Sequence, residues 1–219
     1  MQVAFLLYEG FTALDIVGPY DVLRNAPGVE PVFVAQERGE VRTESGTLAL
    51  VGDASLSEVT SPEIVVVPGG FGNRVLLDDE PLLSWLRTAH ESTIWTTSVC
   101  TGSLLLAAAG LLDGVPAATH WLSHQTLASL GALPSKERVI QHGKIMTAAG
   151  VSAGIDMALR LVALTHGDLV AQAIQLAIEY DPDPPFDTGS PDRAPARVVD
   201  LARGGFAEAE RAGEERAFR

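Results

Sequence analysis

The chain has 219 residues, with 15 Lys plus Arg against 28 Asp plus Glu and a formal net charge of −13. A surface that acidic repels phosphate backbones and anionic lipid, so neither nucleic acid nor a membrane is an expected partner. With 47% hydrophobic and 20% charged residues, wholesale disorder is excluded. A chain of this mass buries about 70% of its extended surface, enough for one full-sized domain and too little for two.

One cysteine, Cys100, cannot form an intrachain disulfide, which makes a reducing cytoplasm the expected compartment. Residues 1–8 lack a basic n-region and a cleavage site, and Glu9 follows at once, so they read as a strand and not as a signal peptide. The apolar run 104–112 is broken by Gly110 and falls far short of the ~20 residues that span a bilayer.

Residues 3–8 are almost continuously apolar, as in a strand buried on both faces. Helical spacing follows over 14–24 through Leu14, Val17 and Val22, with Gly18-Pro19 predicting a kink or break. A second strand is predicted at 31–35 and a small hairpin in the turn-rich, alternating stretch 40–51. Ile64-Val65-Val66-Val67 is the clearest buried strand and runs into Pro68-Gly69-Gly70-Phe71-Gly72. An amphipathic helix over 81–91 starts at Pro81. A strand at 94–97, a turn at Ser98-Val99-Cys100 and a Leu/Ala helix over 101–112 come next. The remainder reads as a helix at 120–130, strands at 139–142 and 144–147, and helices at 152–165 and 168–179. This alternation predicts an α/β fold: a doubly wound, mainly parallel sheet flanked by helices, a flavodoxin-like three-layer sandwich. It is expected as a single domain over residues 1–180. Residues 181–219 form a Pro-rich, acidic tail that packs on the domain or on a partner subunit, with 208–215 as a solvated helix face.

In open α/β sheets the functional crevice lies outside the carboxyl ends of the strands. Three loops fall there: 9–15, 69–72 and 98–101. Cys100 stands between a strand and a helix opened by Thr101-Gly102-Ser103, the layout of a nucleophile elbow. A helix N-terminus there is expected to stabilise thiolate and lower the thiol pKa. The alternative is a buried core cysteine. Gly69-Gly70 offers an N–H to a ligand, or merely ends a strand. Asp15 closes a Thr12-x-x-Asp15 capping box, or else faces the thiol. Among five histidines, His120 and His124 share a helix face, but no further ligand sits at metal spacing, so no metal is expected. His120 follows an apparent strand end and can approach the crevice. No dinucleotide fingerprint or phosphate loop is present.

These residues resemble a known family. Val66-Val67-Pro68-Gly69-Gly70, Ser98-Val99-Cys100-Thr101-Gly102, Thr119-His120-Trp121 and Ala149-Gly150-Val151-Ser152-Ala153-Gly154-Ile155-Asp156 look like the ThiJ/PfpI superfamily, with its class I glutamine-amidotransferase-like fold, over residues 1 to about 195. The strings Gly10-Phe11-Thr12-Ala13-Leu14-Asp15-Ile16-Val17-Gly18-Pro19 and Glu179-Tyr180-Asp181-Pro182-Asp183-Pro184-Pro185-Phe186 resemble its isocyanide hydratase branch. Ligand domains of some transcription activators carry similar strings but continue into a helix-turn-helix region, and with only a Pro-rich, acidic tail after the domain that reading is not expected here. Superfamily proteases carry a Cys-His pair where Thr101 follows Cys100 here. The amidotransferases' late His-x-Glu is missing, and glyoxalase-like and deglycase-like members usually present glutamate where this chain has Asp15.

The resemblance implies a homodimer acting on a small molecule without metal or organic cofactor. It also implies a nucleophilic Cys100, an acidic partner at Asp15 and an oxyanion-type pocket from the N–H groups of Gly70 and Thr101; His120, from its place at a strand end, is a candidate for a supporting role. The expected reaction is hydration of an isocyanide to an N-substituted formamide through a cysteine thioimidate, with Asp15 acting as acid and then as base. Glyoxalase- or deglycase-type conversion of 2-oxoaldehydes, with His120 assisting, is the alternative activity. A non-catalytic redox or electrophile sensor built on the thiol is the other. Phe11, Phe71, Trp121 and Val151 are the expected pocket walls.

Overall fold

Four consecutive β-branched residues, Ile64–Val67, belong in a strand covered on both faces, and all four are buried. The computed structural model describes residues 1–217, with side chains through residue 209. In chain order the elements are β1 (Gln2–Leu6), α1 (Ala13–Leu23), β2 (Glu30–Ala35), β3 (Gly39–Arg42), β4 (Ala49–Gly52), β5 (Ala54–Ser55) and β6 (Ile64–Val67). Then come α2 (Glu80–Ser92), β7 (Trp95–Val99), α3 (Gly102–Ala108), β8 (Pro116–Ala118), α4 (His124–Ser129) and β9 (Leu133–Ser135). The chain closes with β10 (Val139–His142), β11 (Ile145–Ala148), α5 (Ala153–His166), α6 (Asp168–Ala177) and α7 (Ala196–Ala217).

One seven-stranded sheet runs β10-β11-β7-β6-β1-β2-β5, parallel throughout except for β10 against β11. Helix α1 packs against α5, and α2 against α3, so helices flank the sheet in a three-layer α/β sandwich. The hairpin expected within 40–51 is β3 with β4, and it stands outside the main sheet. From β1 the chain goes to β2 on one side and later returns to β6 on the other. The β1/β6 junction is therefore a topological switch point, where the loops at the strand ends part and leave a crevice.

Aromatic packing fixes α1 over that crevice. The Tyr20 ring lies 5.7 Å from Phe5 and 5.2 Å from Phe33, each pair adding about 0.5–1.5 kcal/mol beyond its burial. The first turn of α1, with Asp15, is thereby held at the end of β1.

Three predicted elements differ in extent. Strand β7 continues through Val99, because Ser98 and Val99 pair with Thr147 and Ala148 of β11, so the turn is confined to Cys100 and Thr101. The 101–112 helix stops at Ala108, just before Gly110 takes a positive φ. The 120–130 stretch divides into a 3₁₀ turn, Trp121–Ser123, and α4. Strands β8 and β9, three residues each, pair in parallel as a separate two-stranded sheet beside β10 and β11, with Ala118 N–H donating to Thr147 Oγ1 (2.8 Å).

Residues 181–195 form neither helix nor strand, and α7 then lies against the 3₁₀ turn Phe71–Leu76. Glu208 is exposed on α7; the rest of the acidic face expected over 208–215 lies outside the described side chains from residue 210 onward.

Candidate active site

Cys100 has a φ of 58°, a left-handed conformation at a non-glycine residue that costs about 1–3 kcal/mol. Its neighbours hold it there. Its N–H donates to Ala148 O (3.1 Å) and Ala149 O (2.9 Å) at the end of β11. Its carbonyl accepts from Ser103 Oγ (3.3 Å) and Thr119 Oγ1 (3.2 Å). The strained turn between β7 and α3 projects the thiol toward the switch point. The Thr101 and Val151 N–H groups donate to the sulfur.

Asp15 shows which of its two readings holds. The Thr12 side chain makes no cap bond to α1. Instead Thr12 N–H donates to Gly69 O (2.8 Å), and Gly69 N–H donates to Asp15 Oδ2 (2.8 Å). No capping box forms, and the carboxyl lies beside the Cys100 thiol, its Oδ1 buried with no hydrogen-bond partner among the described residues. Asp15 is fully buried. Burial pushes its pKa up to about 7, with the Gly69 N–H opposing and the charge of Glu44 adding.

The thiol departs from expectation. Burial and then the Asp15 charge push it well above the ordinary cysteine value, outweighing the Val151 and Thr101 N–H groups. A seven-residue helix cannot offset the desolvation of a thiol that is only 5% exposed beside a carboxyl. Two adjacent negative charges are disfavoured here, so sulfur and carboxyl are not both ionised near neutral pH. Tyr8, whose hydroxyl donates to Pro68 O (2.8 Å), is likewise pushed up by burial and by the Asp15, Cys100 and Glu44 charges.

Above the thiol lies a pocket of about 220 Å³, below the ~300–1,000 Å³ of typical ligand sites and suited to a small substrate. Gly70 and Thr101 line it together with Cys100. The Gly70 N–H donates to Thr101 Oγ1 (3.0 Å), so this amide already has a hydroxyl partner. Gly70 has a φ of 135°, and a Cβ there would lie 2.4 Å from Gly10 O. Asn73, nearly fully buried, donates its Nδ2 to Thr101 O (2.8 Å) and fixes the far side of that residue.

His120 also lines the pocket. Burial and then the charge of His124 push its pKa down to about 4. Its Nδ1 accepts from Leu122 N–H (3.4 Å), which leaves the proton on Nε2. The ring is stacked on Phe206 of α7, with centroids 5.0 Å apart, and Phe206 meets Phe71 at 4.9 Å.

Residues 1–164 match the DJ-1/PfpI family. The chain belongs to that family. It is 44% identical over 203 residues to the isonitrile hydratase of Pseudomonas putida, a match covering 93% of this chain and 89% of that one. A crystal structure of a ThiJ/PfpI family protein from Pseudomonas syringae superposes with a TM-score of 0.91 at 36% identity, over 98% of this chain and 89% of that chain. The HTH-type transcriptional regulator CdhR of Pseudomonas aeruginosa is 29% identical over 76% of this chain, which spans 51% of the regulator. Among the described residues no group of three or more His, Cys, Asp or Glu could hold a metal ion, and no helix is long and apolar enough to cross a membrane.

In this family member, two of the expected pocket walls, Phe71 and Val151, line the cavity. Phe11 is fully buried in the core, and Trp121 instead carries the Arg203 guanidinium 5.1 Å above its ring. Sequence reading missed Glu44, Asn73, Leu104 and Phe206, which all face the cavity. Only Phe206 left a signal, as an aromatic beside Gly204-Gly205 in a charged tail.

The crevice also dictates Gly72, where a Cβ would sit 1.8 Å from Glu9 O. Gly72→Ala is expected to destabilise the fold by about 3 kcal/mol, lowering Tm by roughly 6–12 °C in a thermal melt. Gly204→Ala, with nothing within 4 Å, should leave Tm unchanged or slightly raised. Equal effects would mean that the loops are not packed this closely.

Proposed function

We propose that this protein hydrates isocyanides to N-substituted formamides, with Cys100 as nucleophile and Asp15 as its acid. The observation that carries this reading is a strained thiol at the floor of a small pocket, beside a buried carboxyl whose pKa burial raises to about 7. The identity to a protein named isonitrile hydratase supports it, isonitrile being another word for isocyanide.

Sulfur and hydrogen must both add to the terminal carbon of R–N≡C, an atom with little bulk around it. The Cys100–Asp15 pair holds both at one place. As the thiolate bonds to the carbon, the Asp15 carboxyl gives that carbon its proton, leaving Cys–S–CH=N–R and a carboxylate. Water then adds across C=N to give Cys–S–CH(OH)–NH–R. Breaking the C–S bond releases HC(O)NHR, and the hydroxyl proton returns to the pair. Gly70 N–H occupies a lone pair of Thr101 Oγ1 and so leaves the hydroxyl proton to bond the substrate nitrogen. His120, neutral with its proton on Nε2, offers a second donor from the wall.

The test is conversion of phenyl isocyanide to N-phenylformamide. Absence of formamide together with lactate from methylglyoxal would replace this reading by the oxoaldehyde one. Absence of both, with ready oxidation of Cys100 by dilute peroxide, would favour the sensor. We further propose that the protein works as a homodimer. Equilibrium sedimentation should give twice the mass of the chain, and a single-chain mass overturns the dimer.

A further inference from the structure

Hydration has two halves that need protons in different places. The first half needs its proton at the sulfur, where Asp15 is. The second needs a base where the water is, because water attacks the planar thioimidate from the open side of the pocket. Asp15 is ill placed for that: it is fully buried, does not line the cavity, and has Oδ2 engaged by Gly69.

Among the described residues lining the cavity, the titratable side chains are Glu44, Arg74, Cys100 and His120. Arginine stays protonated and is no base. Cys100 is in covalent use at this stage. His120 has Nδ1 taken by Leu122 N–H and a proton on Nε2, so it faces the substrate as a donor. A carboxylate remains. Glu44 stands on the loop between β3 and β4, outside the main sheet, and is anchored from several directions. Its N–H donates to Phe11 O (3.0 Å), beside the bridge between Phe11 and Thr43. The Thr12 hydroxyl donates to Oε2 (2.9 Å), and Phe71 N–H also reaches the carboxylate. These neutral donors fix the carboxylate in the pocket wall.

We propose that Glu44 is a second catalytic carboxylate, which positions the water and takes its proton as the oxygen bonds to the thioimidate carbon. The proton passes from water to Glu44 and on to the imine nitrogen. Glu44 ends the step as a carboxylate, and the adduct is Cys–S–CH(OH)–NH–R. Collapse then proceeds as above. Half-burial raises the pKa of this carboxyl, which makes it a better base near neutral pH. The assignment rests on the hydratase reading and divides between two residues the acid and base roles expected of Asp15 alone.

The experiment compares wild type, Glu44→Gln and Glu44→Asp with phenyl isocyanide, following formamide release and, in rapidly quenched samples, the intact protein mass. Glu44→Gln should form the Cys100 adduct, one whole isocyanide heavier, within about threefold of the wild-type rate, while kcat falls about 100-fold or more. The adduct should therefore accumulate. Glu44→Asp, which keeps a carboxylate, should recover part of kcat and accumulate less adduct, and it decides the matter if the Gln variant does not fold. Wild-type kcat in Glu44→Gln overturns the proposal. So does an equal loss of adduct formation and turnover, or a rise in KM alone. A wild type that neither turns over nor forms adduct overturns the hydratase reading, and the role of Glu44 with it; normal wild-type turnover beside a fully active Gln variant overturns only the role.

Discussion

Cys100→Ala should abolish formamide production, lowering the rate by at least about 10⁴-fold, because every step after encounter passes through a bond to sulfur. The fold should persist. The 58° φ is imposed by the two N–H bonds to Ala148 and Ala149 and by the carbonyl's hydroxyl partners, none of which involves the thiol. Alanine tolerates that conformation no worse than cysteine, and it leaves only a small gap. Cys100→Ser is expected to be equally inactive, since a hydroxyl beside a buried carboxyl does not ionise near neutral pH. Formamide measured by chromatography, with a thermal melt run alongside, checks both parts. A variant retaining even about a hundredth of the wild-type rate would exclude the covalent route.

Asp15→Asn should lower kcat/KM by about 10²–10⁴-fold while making the protein more stable at alkaline pH. The asparagine oxygen can still accept from Gly69 N–H, so the crevice stays assembled, but the side chain has no carboxyl proton to give. In wild type the pair loses its first proton near pH 7, where the Asp15 carboxyl titrates, and the second far higher, with the thiol. The reactive form carries one proton. Wild-type kcat/KM is therefore expected to rise as pH climbs through about 7 and then hold, and this limb should be absent from the variant.

Stability runs the opposite way. The folded-state pKa of about 7 exceeds the ordinary 3.8, so folding favours the protonated carboxyl. That contribution is fully present below about pH 4 and is lost as pH rises through 7, a change of up to about 4 kcal/mol. The melting temperature of Asp15→Asn should exceed that of wild type at pH 8, with a smaller difference or none at pH 5. A constant difference across that range would mean that Asp15 is not held protonated by burial. If the activity fell and the pH-dependent gain appeared, Asp15 would be a residue kept for chemistry at a cost to the fold.

Much of this architecture is legible along the chain. β-Branched runs such as Ile64–Val67 mark central strands because a strand covered on both faces needs apolar residues at every position. The alternation of such runs with helical spacing then leaves few topologies beyond a doubly wound sheet. The position of Cys100 between a strand and a helix is local as well, and so was readable. What proved unreadable is what depends on neighbours far away in sequence. Whether Asp15 caps α1 or faces sulfur turned on Gly69, 54 residues on, which donates to its carboxylate. The thiol pKa depended on burial and on that carboxyl, and the short helix α3 was too weak a field to reverse them. Glu44 and Phe206 carry no periodic signal, since one lies at a hairpin tip and the other in a charged tail. They join Cys100 only because the switch point between β1 and β6 gathers the chain at residues 12, 44, 70 and 100 around one cavity, and α7 packs Phe206 against it. Sequence by itself thus determined the sheet, the elbow and the family. The burial that raises the carboxyl and thiol pKa values and the composition of the walls came only with the folded chain, because long-range contacts belong to no single stretch of sequence.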